Sequence, residues 1–353
     1  MARCGVCGLT SRRVSGALGV CGRCLREGKP EGIARAREAH RACRAEFGLP
    51  TTPPRDGRAC GWCANNCRIP DGGLGYCAVR RIEGGTLRGG TATEGRVSWY
   101  YDPLPTNCVA DWVCAGSRDR GRRNLAVFYE ACSFDCLFCQ NWHYREKGAS
   151  RADVPADALA EAADATTACI CYFGGDPSPQ MDHALAASRL AIGRAQGQPP
   201  RICWETNGSM SRKHLAEAAQ LSLETDGCIK FDLKAWNPDL HLGLCGVGNE
   251  RTLENFAWLA ELGKTRPEPP LLVASTLLVP GYVDVEEVRP LAEWIARLDP
   301  AIPYSLLGFH PDFHMADLPC TSRHHAEECL DAARVAGLQR LHVGNSHVLG
   351  PRY

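Results

Sequence analysis

No stretch of this chain approaches the roughly 18 consecutive apolar residues that a membrane-spanning helix needs, so a helical membrane protein is excluded. The opening residues, Met-Ala-Arg-Cys, lack the apolar core of a secretory signal. Net charge is missing too. The 40 basic and 40 acidic side chains cancel, which leaves no overall field to gather nucleic acid. Towards the C-terminal end there is no further cysteine-rich module: Cys320 and Cys329 stand alone, so an auxiliary cluster is not expected there.

Cysteine is what the chain has in quantity, 21 in 353 residues. A short secreted chain would use them as disulfides, but this chain is long and its cysteines are clustered. Clustered CxxC units without an export signal read as metal ligands in a reducing cytoplasm. The first set is Cys4-Gly-Val-Cys7 and Cys21-Gly-Arg-Cys24. Two knuckles at this separation have the form of a zinc ribbon, in which Zn2+ takes four thiolates and Gly5 and Gly22 permit tight turns. Zinc binding would supply folding energy that so short a segment cannot draw from a core. The second set is Cys60, Cys63, Cys67 and, after an Asp71-Gly-Gly-Leu-Gly turn, Cys77. Thiolates suit zinc and iron-sulfur alike, and spacing does not choose between them.

The third set is Cys132-Ser-Phe-Asp-Cys136-Leu-Phe-Cys139, directly after the strand-like run Leu125-Ala-Val-Phe-Tyr129. Iron-sulfur clusters are normally held by four thiolates, so three on one loop leave one iron open to a substrate or cofactor. A zinc knuckle or three buried free thiols are the plainer readings. The CxxxCxxC loop, with aromatic Phe138 before its last cysteine, resembles the cluster loop of the radical S-adenosyl-L-methionine (SAM) enzymes. The Cys60–Cys77 set, with Arg80 just beyond it, resembles the N-terminal module of AmmeMemoRadiSam-type radical SAM proteins. Cys108 and Cys114 depart from that pattern; they read as buried thiols, or else as ligands or redox partners.

From residue 122 strands alternate with amphipathic helices. Strands are expected near 123–130, 168–174, 201–206, 228–233, 271–278, 303–309 and 339–344. Helices are expected at 157–167, 181–195, 211–221, 252–262, 285–298 and 323–336. Such units predict an α/β fold with a parallel sheet, here a partial (β/α)6 barrel whose ligands bind at the carboxyl ends of the strands. The chain divides into a ribbon-like module (1–28), a helix and Pro-rich linker (29–57), the second cysteine module and connector (58–121), the barrel (122–346) and a tail (347–353). Residues 1–58 carry 12 basic and 5 acidic side chains, which reads as a solvated face rather than a docking site for an acidic partner.

The strand ends extend the resemblance. Gly174-Gly175-Asp176 is similar to the Gly-Gly-Glu segment that contacts the SAM amino group. Glu205-Thr206-Asn207 and Asp232-Leu-Lys234 look like segments of the pyruvate formate-lyase activating enzyme branch. Asp232 and Lys234 share one face of a strand and would hold the ribose or carboxylate of SAM. Glu205 and Asp232 are candidates for a monovalent cation, or simply for a salt-bridged layer. His310 falls where that branch has a SAM-side histidine, and His314 with Asp312 are expected near substrate. Pro280-Gly281-Tyr282 and Val343-Gly344-Asn345 also sit at strand ends.

The resemblance implies an oxidoreductase with a 4Fe-4S cluster at Cys132, Cys136 and Cys139. SAM would be cleaved reductively to a 5′-deoxyadenosyl radical that abstracts hydrogen, with no side chain needed as acid or base. It implies a flavodoxin- or ferredoxin-like electron donor and a protein or peptide substrate, as for glycyl-radical activases. A small metabolite is the alternative substrate. A non-catalytic zinc-ribbon binding protein is the alternative of another class.

Overall fold

The structure, a computed structural model, describes residues 1–106, 108–147 and 152–353. The first cysteine set folds around a two-residue hairpin, β1 (Ala2–Arg3) with β2 (Thr10–Ser11), and a short helix, α1 (Gly22–Arg26). Pro30 then opens helix α2 (Pro30–Glu46) at the position where a missing amide costs nothing. The second set carries two more hairpins, β3 (Arg58–Ala59) with β4 (Arg68–Ile69) and β5 (Arg81–Glu83) with β6 (Thr86–Arg88).

Strand β7 (Val97–Pro103) leads into the main sheet through β8 (Arg123–Tyr129), β9 (Thr167–Gly174), β10 (Arg201–Thr206), β11 (Ile229–Asp232), β12 (Leu272–Leu278), β13 (Tyr304–Gly308) and β14 (Leu341–Gly344). Helix α3 (Tyr144–Lys147) follows the cysteine loop. The covering helices are α4 (Ala156–Glu161), α5 (Met181–Arg194), α6 (Arg212–Glu224), α7 (Pro238–Cys245), α8 (Glu250–Gly263), α9 (Val285–Leu298) and α10 (Arg323–Val335). Strands β8 to β14 pair in chain order and all in parallel. The seven expected strands are all present in that order.

Strand β7 is the difference. Its pairing was not read from the sequence: it runs antiparallel along the whole of β8, from Val97 opposite Tyr129 to Pro103 opposite Arg123. It gives the first parallel strand a partner on its outer side. The sheet runs linearly from β14 to β7, so the barrel is open between them. Residues 109–112 help fill the opening. Trp112 Nε1 donates to Ser305 Oγ at 3.0 Å and its ring stacks on His342 at 5.2 Å. Ser305 Oγ donates to the Val109 carbonyl.

Helix starts follow local capping. Ser211, Asn237 and Ser322 accept from the backbone amides of His214, Leu240 and His325. In α9, Val288, Leu291, Ala292 and Ile295 recur at helical spacing and are buried against the sheet. The helix expected over 157–167 stops at Glu161. The Asp164 carboxylate accepts from the Thr166 amide and the Thr166 and Thr167 hydroxyls, so a local turn replaces the last helical turn. Helix α7 was not expected; Gly246, at φ +70°, ends it in the left-handed conformation. Among the described residues no helix is long and apolar enough to cross a membrane.

Candidate active site

The C-terminal ends of the parallel strands surround a cavity of about 610 Å³, within the range of cofactor and small-molecule sites. Cys132, Cys136 and Cys139 line it together with Phe138, Gly174, Gly175, Asp176, Glu205, Thr206, Asn207, Asp232 and Lys234. Twelve sequence candidates thus meet in one mouth. His310 does not: it is exposed and lies outside the cavity lining. Asp312 instead accepts from Trp142 Nε1 at 3.1 Å, and His314 lies 3.5 Å from Glu46 at the end of α2. These loops brace the rim from outside.

The cysteine loop is held from below. The Asp135 and Leu137 amides donate to the Cys245 and Leu244 carbonyls, partners for the C-terminal carbonyls of α7. Ser133 Oγ bonds Ser209 Oγ at 2.7 Å and accepts from Asn207 Nδ2 at 2.8 Å. Asp135 is fully buried and points away from the mouth. It meets His40 Nδ1 at 2.8 Å, Arg44 at 3.4 Å and Arg145. Burial would raise this carboxyl, but His40, Arg145 and Arg44 outweigh burial and hold it below the usual carboxylate range. The basic helix α2, expected as a solvated element, turns His40 and Arg44 inward onto the cluster loop. Loss of surrounding water pushes the Cys139 thiol up to about 11 and Cys132 higher, and a hydrogen bond to Cys245 raises Cys136. The three stay protonated until a cation displaces the protons.

Gly175 and Asp176 line the mouth and also hold it together. Gly175 N donates to the Tyr129 carbonyl and Asp176 N to the Ala131 carbonyl, which joins the end of β9 to the entrance of the cysteine loop. A Cβ on Gly175 would overlap the Ala131 carbonyl oxygen and stand 2.8 Å from that of Tyr129. Asp176 accepts from Thr206 Oγ1 at 2.7 Å, Asn207 N at 3.0 Å and Ser178 N at 2.9 Å. Its carboxylate ties β9 to β10. Gly175→Ala is therefore expected to cost on the order of 3 kcal/mol by backbone overpacking. It should displace the cysteine loop, read as lower iron occupancy after reconstitution and a lower melting temperature.

Deeper in the barrel, Lys234 Nζ pairs with Asp232 at 2.7 Å, and Asp232 accepts from Ser275 Oγ at 2.8 Å. Burial raises the Glu205 carboxyl, opposed by Lys230, whose Nζ lies 3.7 Å away. Lys230 was not singled out from the sequence, although it alternates with Asp232 and Lys234 and so shares their inward face. Tyr100, Asp102, Asn141 and Asn345 also line the cavity without having been named as ligands.

Residues 126–295 match the Radical SAM superfamily. These residues form a radical SAM domain. Its relatives include an uncharacterized protein of Methanocaldococcus jannaschii, 24% identical over 308 residues that cover 81% of this chain and 80% of that protein. The isethionate sulfite-lyase activating enzyme of Desulfovibrio desulfuricans is 34% identical over 139 residues, 39% of this chain and 40% of that enzyme. The pyruvate formate-lyase 1-activating enzyme of Escherichia coli is 22% identical over 209 residues, 57% of this chain and 80% of that enzyme. The match to the isethionate sulfite-lyase activating enzyme thus spans only about two fifths of that relative's length. A radical SAM domain implies a 4Fe-4S cluster and SAM. The donor set fits both: three thiols on one loop, a cavity in front of them, and an acid–base pair at its wall.

In front of the radical SAM domain, the ribbon sulfurs converge. Cys4 and Cys24 lie 3.9 Å apart, Cys7 and Cys21 3.8 Å apart, and all four lie within 4.8 Å of one another. Among the described residues, Cys60, Cys63, Cys67 and Cys77 form no group that tight. The second module touches the cysteine loop directly, through Asn65 Nδ2 donating to the Ser133 carbonyl at 2.6 Å. The ribbon docks elsewhere, on the loop after β12. Tyr282 Oη accepts from Ser15 N and donates to the Val20 carbonyl, each at 2.9 Å. Gly281, at φ +80°, lies so near the Arg13 carbonyl that a Cβ would overlap it. The Pro280-Gly281-Tyr282 strand end thus serves as the ribbon's seat.

Proposed function

We propose that this chain is a glycyl-radical-activase-like enzyme that generates a radical from SAM and directs it at a protein or peptide. The observation that carries this is the convergence of Cys132, Cys136 and Cys139 with Asp232 and Lys234 around one strand-end cavity, in a chain whose relatives include activating enzymes. When bound, a 4Fe-4S cluster at these thiolates supplies the electron that splits SAM into methionine and a 5′-deoxyadenosyl radical. The protein's part is position and exclusion. The Gly174-Gly175 backbone edge and Asn207 face the SAM amino acid. Asp232, fixed by Ser275 and Lys234, faces its ribose or carboxylate, and Phe138 packs beside the cluster. Phe128 and Phe173 supply apolar wall against water that would otherwise quench a radical. A monovalent cation at Glu205 and Asp232 would compete with Lys230 and Lys234, which already sit against those carboxylates.

The four ribbon thiolates fit Zn2+, whose sulfur ligands at about 2.3 Å stand about 3.8 Å apart. The more open Cys60–Cys77 set fits an iron-sulfur cluster better than one ion. Its contact with the cysteine loop makes it an entry point for electrons from a flavodoxin- or ferredoxin-like donor. The second reading, a small metabolite as substrate, shares the same chemistry.

The test is anaerobic reconstitution with SAM and a strong reductant. 5′-Deoxyadenosine is expected, and its absence would remove the enzymatic reading. Adding deuterium-labelled cell extract, split by size, then separates substrate classes. Label should enter 5′-deoxyadenosine from the macromolecular fraction; label from the small-molecule fraction would assign a metabolite.

A further inference from the structure

A second group of thiols lies inside the barrel next to the mouth cavity, whose lining includes two of them, Cys108 and Cys171. Cys169 and Cys171 share the inward face of β9. Cys203 on β10 stands in register with Cys171, and Cys228 precedes β11 beside it, its carbonyl accepting from the Trp204 amide at 2.9 Å. Cys108 and Cys114 enter from the segment after β7. Six of the twelve apolar residues in this cluster are cysteine, where Ala or Val would serve if packing alone mattered.

The sulfurs of Cys114, Cys203 and Cys228 all lie within 4.8 Å of one another, as do those of the ribbon. They come from three separate chain segments. Cys203 and Cys228 are buried and Cys114 is half-buried. Cys169 lies nearby but outside this group, its Sγ donating to Asn124 Oδ1 at 3.2 Å. An adjoining void of about 30 Å³ is lined by Cys114, Cys169 and Cys203 among others. Lys230 Nζ lies 2.8 Å from Cys171 Sγ and 3.2 Å from Cys108 Sγ, a fixed positive charge beside what would be an anionic thiolate site.

We propose that Cys114, Cys203 and Cys228 bind one zinc ion in the floor of the barrel. A soft thiolate set of this span selects zinc over hard cations. The ion would pin residues 108–118, of which 109–112 help fill the open side of the barrel, to β10 and β11. The site is independent of SAM chemistry and stands or falls separately from it.

Crystals of the unaltered full chain, grown anaerobically, provide the test, with diffraction recorded on both sides of the zinc absorption edge. Anomalous peaks are expected at the ribbon and between Cys114, Cys203 and Cys228. A peak at the ribbon alone, or a disulfide joining two of the floor cysteines, would overturn the proposal. In solution the C203S/C228S double variant of the full chain should lose one zinc equivalent relative to the parent. Zinc unchanged in a folded variant would also refute it, and if the variant does not fold the crystal result decides.

Discussion

Cys136→Ala is expected to make no detectable 5′-deoxyadenosine and to leave the barrel loop without iron, while zinc bound to the chain is unchanged. Cys136 is the middle of the three thiols, and its neighbours in sequence are anchored, Asp135 N to the Cys245 carbonyl and Leu137 N to that of Leu244. The backbone therefore has no freedom to bring in a substitute ligand. Two thiolates cannot hold a cube that already lacks a fourth protein ligand. The change removes a raised thiol from a half-buried position and adds no bulk, so the fold should survive, checked by circular dichroism. Iron and sulfide analysis and chromatography of the reaction measure the outcome. Full cluster content in this variant would mean that the site lies elsewhere.

Asp135→Ala should come close to the same loss with every cysteine still in place. The carboxylate is the shared partner of His40, Arg44 and Arg145, and both it and the two guanidinium side chains are buried. Removing one partner of a buried ion pair strands the others, at a cost of about 3–5 kcal/mol. Here the stranded charges sit directly beneath the cluster loop. Reconstituted iron should fall sharply, and α2 should release from the barrel, read as faster amide exchange at residues 36–46. Normal iron with normal exchange would show that Asp135 is dispensable. Asp135→Asn keeps shape and some hydrogen bonds and should fall between the two.

The sequence was most legible where chemistry needs particular residue types at fixed spacing. The three cysteine sets, the seven parallel strands and the twelve residues of the mouth were all visible, because strand ends in an alternating fold must share one rim. What was hidden depends on pairing across long stretches of chain. Nothing near Tyr282 announces that its hydroxyl bonds Ser15 and Val20, more than 260 residues away. Asp176 was named for the likeness of Gly174-Gly175-Asp176 to a Gly-Gly-Glu segment, and its bonds to Thr206 and Asn207, at the end of the next strand, were not visible in it. His310 was placed by motif position alone, and the turn after β13 carries it to the surface. The pairing of β7 with β8 was hidden because β8 starts only at Arg123, well beyond the end of β7 at Pro103.

The contact between α2 and Asp135 joins residues 95 apart in sequence, and it gives the protein an order of assembly. Ribbon and helix leave the ribosome well before the cysteine loop exists. If the ribbon closes only around its metal, and its closure sets α2 in place, then the seat for the iron loop is prepared by an earlier and different metal. A cell starved of zinc would then accumulate this chain without its iron, and the defect would look like a failure of iron-sulfur delivery.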